Sequence, residues 1–318
     1  MKHLLLVLAL AFTQPVTHAQ AWPTRPLRAI VPVGAGSSTD IVHRLVLENL
    51  STSLGQRIIV ENRTGAGGTI GSAVVAKAEP DGYTLLASGS AQTIAPALYK
   101  SLPYDGARDF VPVVPIGITP SVLVVSPATG MGTAQAVVAA AKARPGALNF
   151  SSVGIGTATH LSAERFASSA GIDVVHVPFK GGAEAMFEVI AGRIDFFFGP
   201  VALVLPHIRE GKLRALAVNG IMRSATLPDV PTLQEAGYAD AEYPIWFGLF
   251  APARTAGSTI EKLNHETRQV LQSPALRQKL SALGVDAMAM TPQEFKSHVD
   301  REIALNAILA KKAGLKAE

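Results

Sequence analysis

Two segments of the chain run from a β-type strand through a Gly/Ser/Thr loop into a helix, and they constrain the fold more than any other feature. The first is Ile30-Val31-Pro32-Val33-Gly34-Ala35-Gly36-Ser37-Ser38-Thr39-Asp40. The second is Leu148-Asn149-Phe150-Ser151-Ser152-Val153-Gly154-Ile155-Gly156-Thr157-Ala158-Thr159-His160, with Gly34 and Gly154 120 positions apart. Glycine lets a backbone approach a ligand closely, and the helix that follows offers unpaired N–H groups and a partial positive charge. Such a junction suits an oxyanion. Two of them, one in each half, lead to the expectation of two lobes closing on one small anion.

Between and beyond these motifs, short β-type runs alternate with amphipathic stretches. Strands are expected over 27–33, 57–61, 83–87, 148–152, 174–177, 195–198 and 214–218. Helices are expected over 40–54, 69–77, 157–170, 182–191 and 200–210, with Gly55 as the C-cap of the first. This alternation means an α/β architecture with mostly parallel sheets. The stretch 111–127, carrying Pro112, Pro115, Pro120 and Pro127, is expected to be an extended crossover, and Trp246-Phe247-Gly248-Leu249-Phe250-Ala251-Pro252 a second one. A helical tail over 258–271, 275–283 and 292–313 then returns to the first lobe. The expected division is 22–123 plus 243–318 for a discontinuous lobe 1 and 124–242 for lobe 2, with a cleft between them.

Residues 1–21 have the pattern of an export signal: Lys2 and His3, an apolar run of nine from Leu4 to Phe12, and small residues ahead of a cut after Ala19 or Ala21. That run is far short of the roughly 20 residues that span a bilayer. Pro15 and the following Trp22-Pro23-Thr24-Arg25-Pro26 argue against a buried N-terminal helix. The implied address is a bacterial periplasm, with the protein soluble after cleavage. The absence of cysteine removes disulfides, thiol nucleophiles and Cys-based metal sites. A net charge of +4 from scattered basic residues, with only 6% aromatics, argues against a nucleic-acid surface.

The first loop invites a dinucleotide reading, but Thr39 stands where the third glycine of that fingerprint belongs, and Thr159 does so in the second copy. The Gly65-Ala66-Gly67-Gly68-Thr69-Ile70-Gly71 cluster lacks the lysine of a phosphate loop and is expected to be a turn and helix start. Ser37, Ser38 and Thr39 are also ordinary N-cap residues, so capping and ligand contact stay open for either loop taken alone. The pairing of loops, with Ser88-Gly89-Ser90 after the third strand, tips the balance toward a ligand. A first-turn helix role is favoured for Asp40 over ligand contact, and a hydrogen-bonded structural role for His160. Lys180 is either solvated or adds long-range attraction for an anion. Asp195 is expected to be paired or to lie at the cleft edge. No nucleophile elbow, zinc-protease motif or histidine set with metal spacing is present, so no catalytic residue, metal or cofactor is assigned.

The chain resembles the periplasmic solute-binding receptors of tripartite tricarboxylate transporters, the Bug or TctC type, from residue 22 essentially to its end. The resemblance rests on Trp22-Pro23-Thr24-Arg25-Pro26-Leu27-Arg28, Val31-Pro32 through Thr39-Asp40, Glu61-Asn62-Arg63-Thr64-Gly65-Ala66-Gly67-Gly68 and Pro80-Asp81-Gly82-Tyr83. It continues through His176-Val177-Pro178-Phe179-Lys180-Gly181, Gly211-Lys212-Leu213-Arg214 and Pro228-Asp229-Val230-Pro231-Thr232. It implies a two-lobed Venus flytrap of the type II periplasmic-binding class that holds carboxylates through loop N–H groups, hydroxyls and ordered water. The implied ligand-binding positions are Val33, Gly34, Ala35, Gly36, Ser38, Thr39, Asp40, Ser88, Ser90, Ser152, Gly154, Gly156, Thr157, His160, Phe179, Lys180, Gly181 and Gly199. Val33 stands where relatives usually carry Phe, and Ser37-Ser38 partly replaces a glycine run, implying a slightly wider and more polar site. The expected function is capture of a small organic (di)carboxylate by a non-catalytic monomer for tripartite tricarboxylate-type uptake. Presentation of the ligand to a membrane sensor kinase is the alternative, and an exported hydrolase is a remote one.

Overall fold

Strand and helix alternate into two sheets, each built on one of the twin motifs. In the computed structural model, which describes residues 22–220 and 222–312, the first half runs β1 (Leu27–Val31), α1 (Ser38–Leu54), β2 (Ile58–Asn62), α2 (Thr69–Ala76), β3 (Thr84–Gly89), α3 (Ser90–Leu98) and β4 (Phe110–Thr119). The second runs β5 (Ser121–Val125), α4 (Ala134–Ala143), β6 (Asn149–Ser152), α5 (Ala158–Ala170), β7 (Val175–Pro178), α6 (Gly182–Ile190), β8 (Phe196–Pro200), α7 (Val201–Arg209) and β9 (Arg214–Val218). The chain then returns through β10 (Ile245–Pro252), α8 (Gly257–Leu271), α9 (Pro274–Ala282), β11 (Asp286–Ala287) and α10 (Pro292–Lys312). The expected export segment lies outside the described residues.

The six-stranded sheet of lobe 1 has the order β11-β4-β10-β3-β1-β2, and the five-stranded sheet of lobe 2 has β7-β6-β8-β5-β9. β1 is parallel to β2 and β3, and β6 is parallel to β7 and β8, so each Gly-rich loop leaves the C-terminal edge of a central parallel strand. Both faces of each sheet are covered, as parallel sheets require. In lobe 2 the alternation of side chains along β8 puts Phe196 and Phe198 into one core layer with Phe166 and sends Phe197 into the other. In lobe 1 the Leu27/Val42/Leu85/Leu263 layer lies on one face and the Ile30/Leu86/Trp246/Phe295 layer on the other.

The proline-rich stretch becomes two strands that change sheets at Pro120, within the range expected for lobe 1. Pro112 and Pro115 cannot donate to a ladder, and the β4–β10 register shifts at Phe247/Gly248 and Leu249/Phe250, beside their partners. Two helices go beyond the expected segments. α3 carries Pro96 in its last turn, which masks its helical pattern, and α4 follows the Thr133 N-cap, whose hydroxyl accepts from Ala136 N–H at 3.1 Å. The expected C-cap holds: Gly55 is left-handed at φ 66°.

The glycine cluster 65–71 is a turn followed by α2, and it sets how closely α2 approaches the first loop. A Cβ on Gly71 would lie 2.5 Å from Arg63 O and 2.9 Å from Pro32 Cα, both backbone atoms. Alanine is favoured over glycine in a helix by about 1 kcal/mol, whereas overpacking costs about 1–3 kcal/mol. Gly71→Ala should therefore lower the denaturation midpoint, with the clash outweighing propensity. A midpoint at or above wild type would show that the backbone at Pro32 yields freely.

Candidate functional site

The first loop closes on itself before it meets any ligand. Ser37 N–H donates to Gly34 O at 3.2 Å, and Gly36 sits at φ 79°. Asp40, buried in the first turn of α1, accepts Gly36 N–H at 2.9 Å through Oδ2. Its Oδ1 accepts Arg44 Nε at 2.9 Å and Asn62 Nδ2 at 2.8 Å. Asn62 Nδ2 also reaches Val33 O at 2.9 Å, and Arg44 Nη2 donates to Asn62 Oδ1 at 2.7 Å. Burial raises the Asp40 carboxyl, but the donors from Gly36, Asn62 and Arg44 together outweigh it and leave the pKa below the ordinary range. Both Asp40 oxygens are thus occupied inside the loop. Gly34, Ala35 and Gly36 are exposed, Ser38 and Thr39 are half-buried, and neither of those two hydroxyls is hydrogen-bonded among the described residues. Val33 packs against the lobe 1 core. Behind the loop, burial pushes the His43 imidazole down, and its ring nitrogens lie 2.6 Å from Thr39 O and 3.1 Å from Gly248 O, tying α1 to β10.

The second loop is built the same way. Thr157 N–H donates to Gly154 O at 3.3 Å, and Gly156 sits at φ 75°. Gly156 N–H donates to His160 Nδ1 at 3.0 Å. The Thr157 hydroxyl donates to Gly154 O at 2.8 Å, and Thr159 Oγ1 accepts Val153 N–H at 3.1 Å. Ser152 is buried; its Oγ accepts Gly154 N–H at 3.0 Å and lies 2.6 Å from His176 Nε2. His176 stacks on His160 with ring centroids 3.7 Å apart. Burial, and then the neighbouring His160, hold His176 down at about 3.

Several expected ligand contacts are therefore loop supports. The polar atoms of Asp40, Ser152, Thr157 and the Nδ1 of His160 have partners within their own loops, and Ser90 Oγ accepts Trp246 N–H at 3.0 Å. Sequence reasoning missed Asn62, Arg44 and His176; only the i, i+4 spacing of Arg44 from Asp40 was a readable signal. The lobes meet around these loops. A Cβ on Gly156 would run into Leu98 of α3, and one on Gly284 would lie 3.0 Å from Val201 of α7. Between the lobes is a pocket of about 30 Å³ lined by Ser38, Ile41, Thr119, Pro200, Ala202 and Phe247, among others. Gly199 is buried in β8 beside Pro200, while Ser88 is buried at the end of β3. Phe179 N–H bonds Ser152 O at 2.9 Å, bringing the Phe179-Lys180-Gly181 turn beside the second loop. Lys180 itself is exposed, and Gly181 is the N-cap residue of α6. Asp195 lies at the opposite end of the sheet, where it accepts Asn149 N–H at 2.7 Å. Among the described residues no group of three metal-ligating side chains forms, and no helix is long and apolar enough to cross a membrane.

Residues 42–315 match the model of the tripartite tricarboxylate transporter family receptor. The chain belongs to that family. Protein BugT of Bordetella pertussis is 37% identical over 300 residues, covering 94% of this chain and 92% of BugT. Among solved structures, Rpa4515 of R. palustris with adipate superposes with a TM-score of 0.86 at 32% identity, covering 93% of this chain and 100% of that one. MatC from Rhodopseudomonas palustris with bound malate gives a TM-score of 0.82 at 30% identity, covering 91% and 99%. The Bug/TctC receptor has the expected two-lobed periplasmic-binding-protein fold, and it is a solute-binding protein rather than an enzyme.

The depressed His176 has a measurable consequence for this receptor. The unfolded chain protonates this imidazole near 6.5 and the folded one near 3, so the unfolded state binds more protons between those values. Stability should fall as pH drops below about 6.5, with the His176 contribution gone near 3. His176→Asn should flatten the urea-midpoint profile across that window relative to wild type. Parallel profiles would remove His176 as the source.

Proposed function

We propose that the chain is a periplasmic receptor that captures a small organic carboxylate, most simply a dicarboxylate, in the cleft between its lobes. It does so as a monomer, for membrane subunits of a tripartite tricarboxylate transporter. The observation that carries this reading is the pairing of α1 and α5, each starting at a Gly-rich turn on the C-terminal edge of a parallel strand. First-turn amides and the helix dipole favour an anion, and hydrogen bonds to a charged acceptor contribute about 1.5–3 kcal/mol each. The unengaged hydroxyls of Ser38 and Thr39 add donors in lobe 1. Family members with adipate and with malate support the carboxylate class without choosing a ligand for this chain.

Closure fits the same reading. The interlobe pocket beside Ser38, about 30 Å³, holds little more than a water or two, and on this reading the lobes part to admit the ligand. The Pro120 crossing and the returning chain before β10 are the places where that rotation is absorbed.

A thermal-shift screen of mono-, di- and tricarboxylates at neutral pH tests the proposal. A true ligand at 100 times its Kd should stabilise the fold by about 2.7 kcal/mol and raise the midpoint with concentration. If sugars or amines shift the midpoint and no carboxylate does, the reading is wrong.

A further inference from the structure

Gly156 is buried although it lies at the tip of a loop, between an exposed Ile155 and a half-buried Thr157. What covers it comes from the other lobe. A Cβ on Gly156 would run into Leu98 Cδ1, and it would lie 3.3 Å from Leu98 Cγ and 3.9 Å from Ile94 Cγ2. Both side chains belong to α3 of lobe 1, and both are almost fully buried. They cluster with Leu161, one turn into α5, and with Tyr243 and Ala310 of the returning chain. The first loop has no such cover, since a Cβ on Gly34 or Gly36 would meet nothing within 4 Å.

Both sides of this contact are braced, and the contact itself is purely apolar. Ser90 Oγ of α3 accepts Trp246 N–H at 3.0 Å, and the Thr93 hydroxyl donates to Glu302 Oε2 at 3.0 Å, which ties α3 to lobe 1. On the other side Ser162 Oγ of α5 accepts Asn219 Nδ2 at 2.9 Å. Among the described residues no hydrogen bond joins α3 to α5 or to the 154–157 turn. An apolar contact is non-directional and strands no donor when it parts, so it can open and re-form with the lobes. Its depth is set by volume, because close-packed side chains respond to a single added or missing methylene.

We propose that Leu98 is a positioning residue for ligand capture: it is the seat on which the Gly156 turn of lobe 2 comes to rest, and its volume sets how far the lobes close. The inference rests on the receptor reading above for its ligand, though not for its geometry. A carboxylate held from both lobes meets the second loop only at the separation the seat allows. A smaller side chain removes apolar surface that favours the closed arrangement, and a larger one wedges the turn away from the first loop. Either change leaves fewer molecules binding-competent, which weakens the apparent affinity by the same factor. Glycine at 156 serves the seat as well as the turn. At φ 75° it suits the backbone, and without a Cβ it leaves the space that Leu98 fills.

The lobe separation reports the seat without any ligand. Because the chain has no cysteine, spin labels can be placed at Thr64→Cys after β2 and Ala183→Cys on α6, both exposed positions. In the ligand-free receptor, Leu98→Phe should lengthen the dipolar distance between them, and Leu98→Ala should broaden it toward longer separations. Leu98→Met, nearly equal in volume, should keep the wild-type distance. Calorimetry with adipate should find Leu98→Ala and Leu98→Phe about tenfold weaker than wild type, and Leu98→Met within about threefold. Leu263→Ala, in the lobe 1 core away from the seat, is the control for lost stability. It should lower the denaturation midpoint and leave distance and affinity unchanged. Wild-type distances in both Leu98→Phe and Leu98→Ala overturn the proposal, as does a Leu263→Ala chain that opens as far as they do. Adipate affinities unchanged in variants whose lobes have moved overturn its link to binding. Failure of every carboxylate to bind wild type would instead sink the receptor reading, and the distances would still decide this one.

Discussion

The cleft is organised by a shortage of hydrogen-bond acceptors. The first amides of any helix have no partner within it, and at α1 and α5 they lie at the C-terminal edge of a sheet, where the strands have ended. The protein satisfies one of these donors from within, Asp40 N–H through Ser37 Oγ, while Asp40, Thr159 and His160 accept the loop amides of Gly36, Val153 and Gly156, and each of those bonds fixes the turn that leads into the helix. What remains unsatisfied is preset in direction. A ligand oxygen then meets donors that need no further ordering, which is where preorganised sites gain affinity. The loops are held because they are already hydrogen-bonded, and on the proposed reading they bind because the bonding is incomplete.

The rest of the fold keeps two such surfaces in a defined relation. Asn219, fully buried after β9, accepts Ser121 N–H at 2.6 Å and donates to Ser162 Oγ at 2.9 Å and to Tyr243 O at 2.6 Å. One side chain thereby joins the Pro120 crossing, α5 and the returning segment. Tyr243 continues the path: its hydroxyl donates to Asn306 Oδ1 at 2.7 Å, and Asn306 Nδ2 donates to Thr93 Oγ1 at 3.1 Å. Thr93 and Trp246 Nε1 both donate to Glu302 Oε2, whose carboxyl burial still pushes above its ordinary value. A buried polar network of this kind is costly if broken in part, so it specifies one geometry for the segments that link the sheets.

Much of this was legible because it obeys local rules. The strand–loop–helix junctions, the Gly55 cap and the β8 alternation follow from periodicity and turn chemistry, and the family motifs named the architecture. α3 was not legible, since Pro96 interrupts its pattern and its packing partner α10 lies about 200 residues on. The change of sheets at Pro120 depends on which neighbour each strand finds, a tertiary choice that no local window holds. In the site, the sequence pointed to both Gly-rich loops and left unread the hydrogen bonds that engage several of their side chains within the protein. Hydroxyls of Thr157 and Ser152 look the same in a sequence whether they turn to a ligand or to Gly154. Only the backbone bends at Gly36 and Gly156 decide that.

The offset of 120 carries a last consequence. Asp40 with Arg44, and His160 with Glu164, are i, i+4 pairs in which the carboxylate stands first in lobe 1 and second in lobe 2. In lobe 1 the carboxylate nearest the turn is offset by a guanidinium and by Asn62, so its negative charge does not oppose an anion at the helix start. In lobe 2 the group nearest the turn is the His160 ring, whose Nδ1 accepts Gly156 N–H, and the Glu164 carboxylate sits one helical turn further back, beside the ring. Among the described residues no lysine or arginine is buried. On the proposed reading, attraction comes from oriented amides and two helix dipoles, which act over a single turn and reward close fit over charge alone. A receptor made this way discriminates by where its acceptor atoms must lie. Its two lobes supply two such positions, set by the same turn and secured by different chemistry.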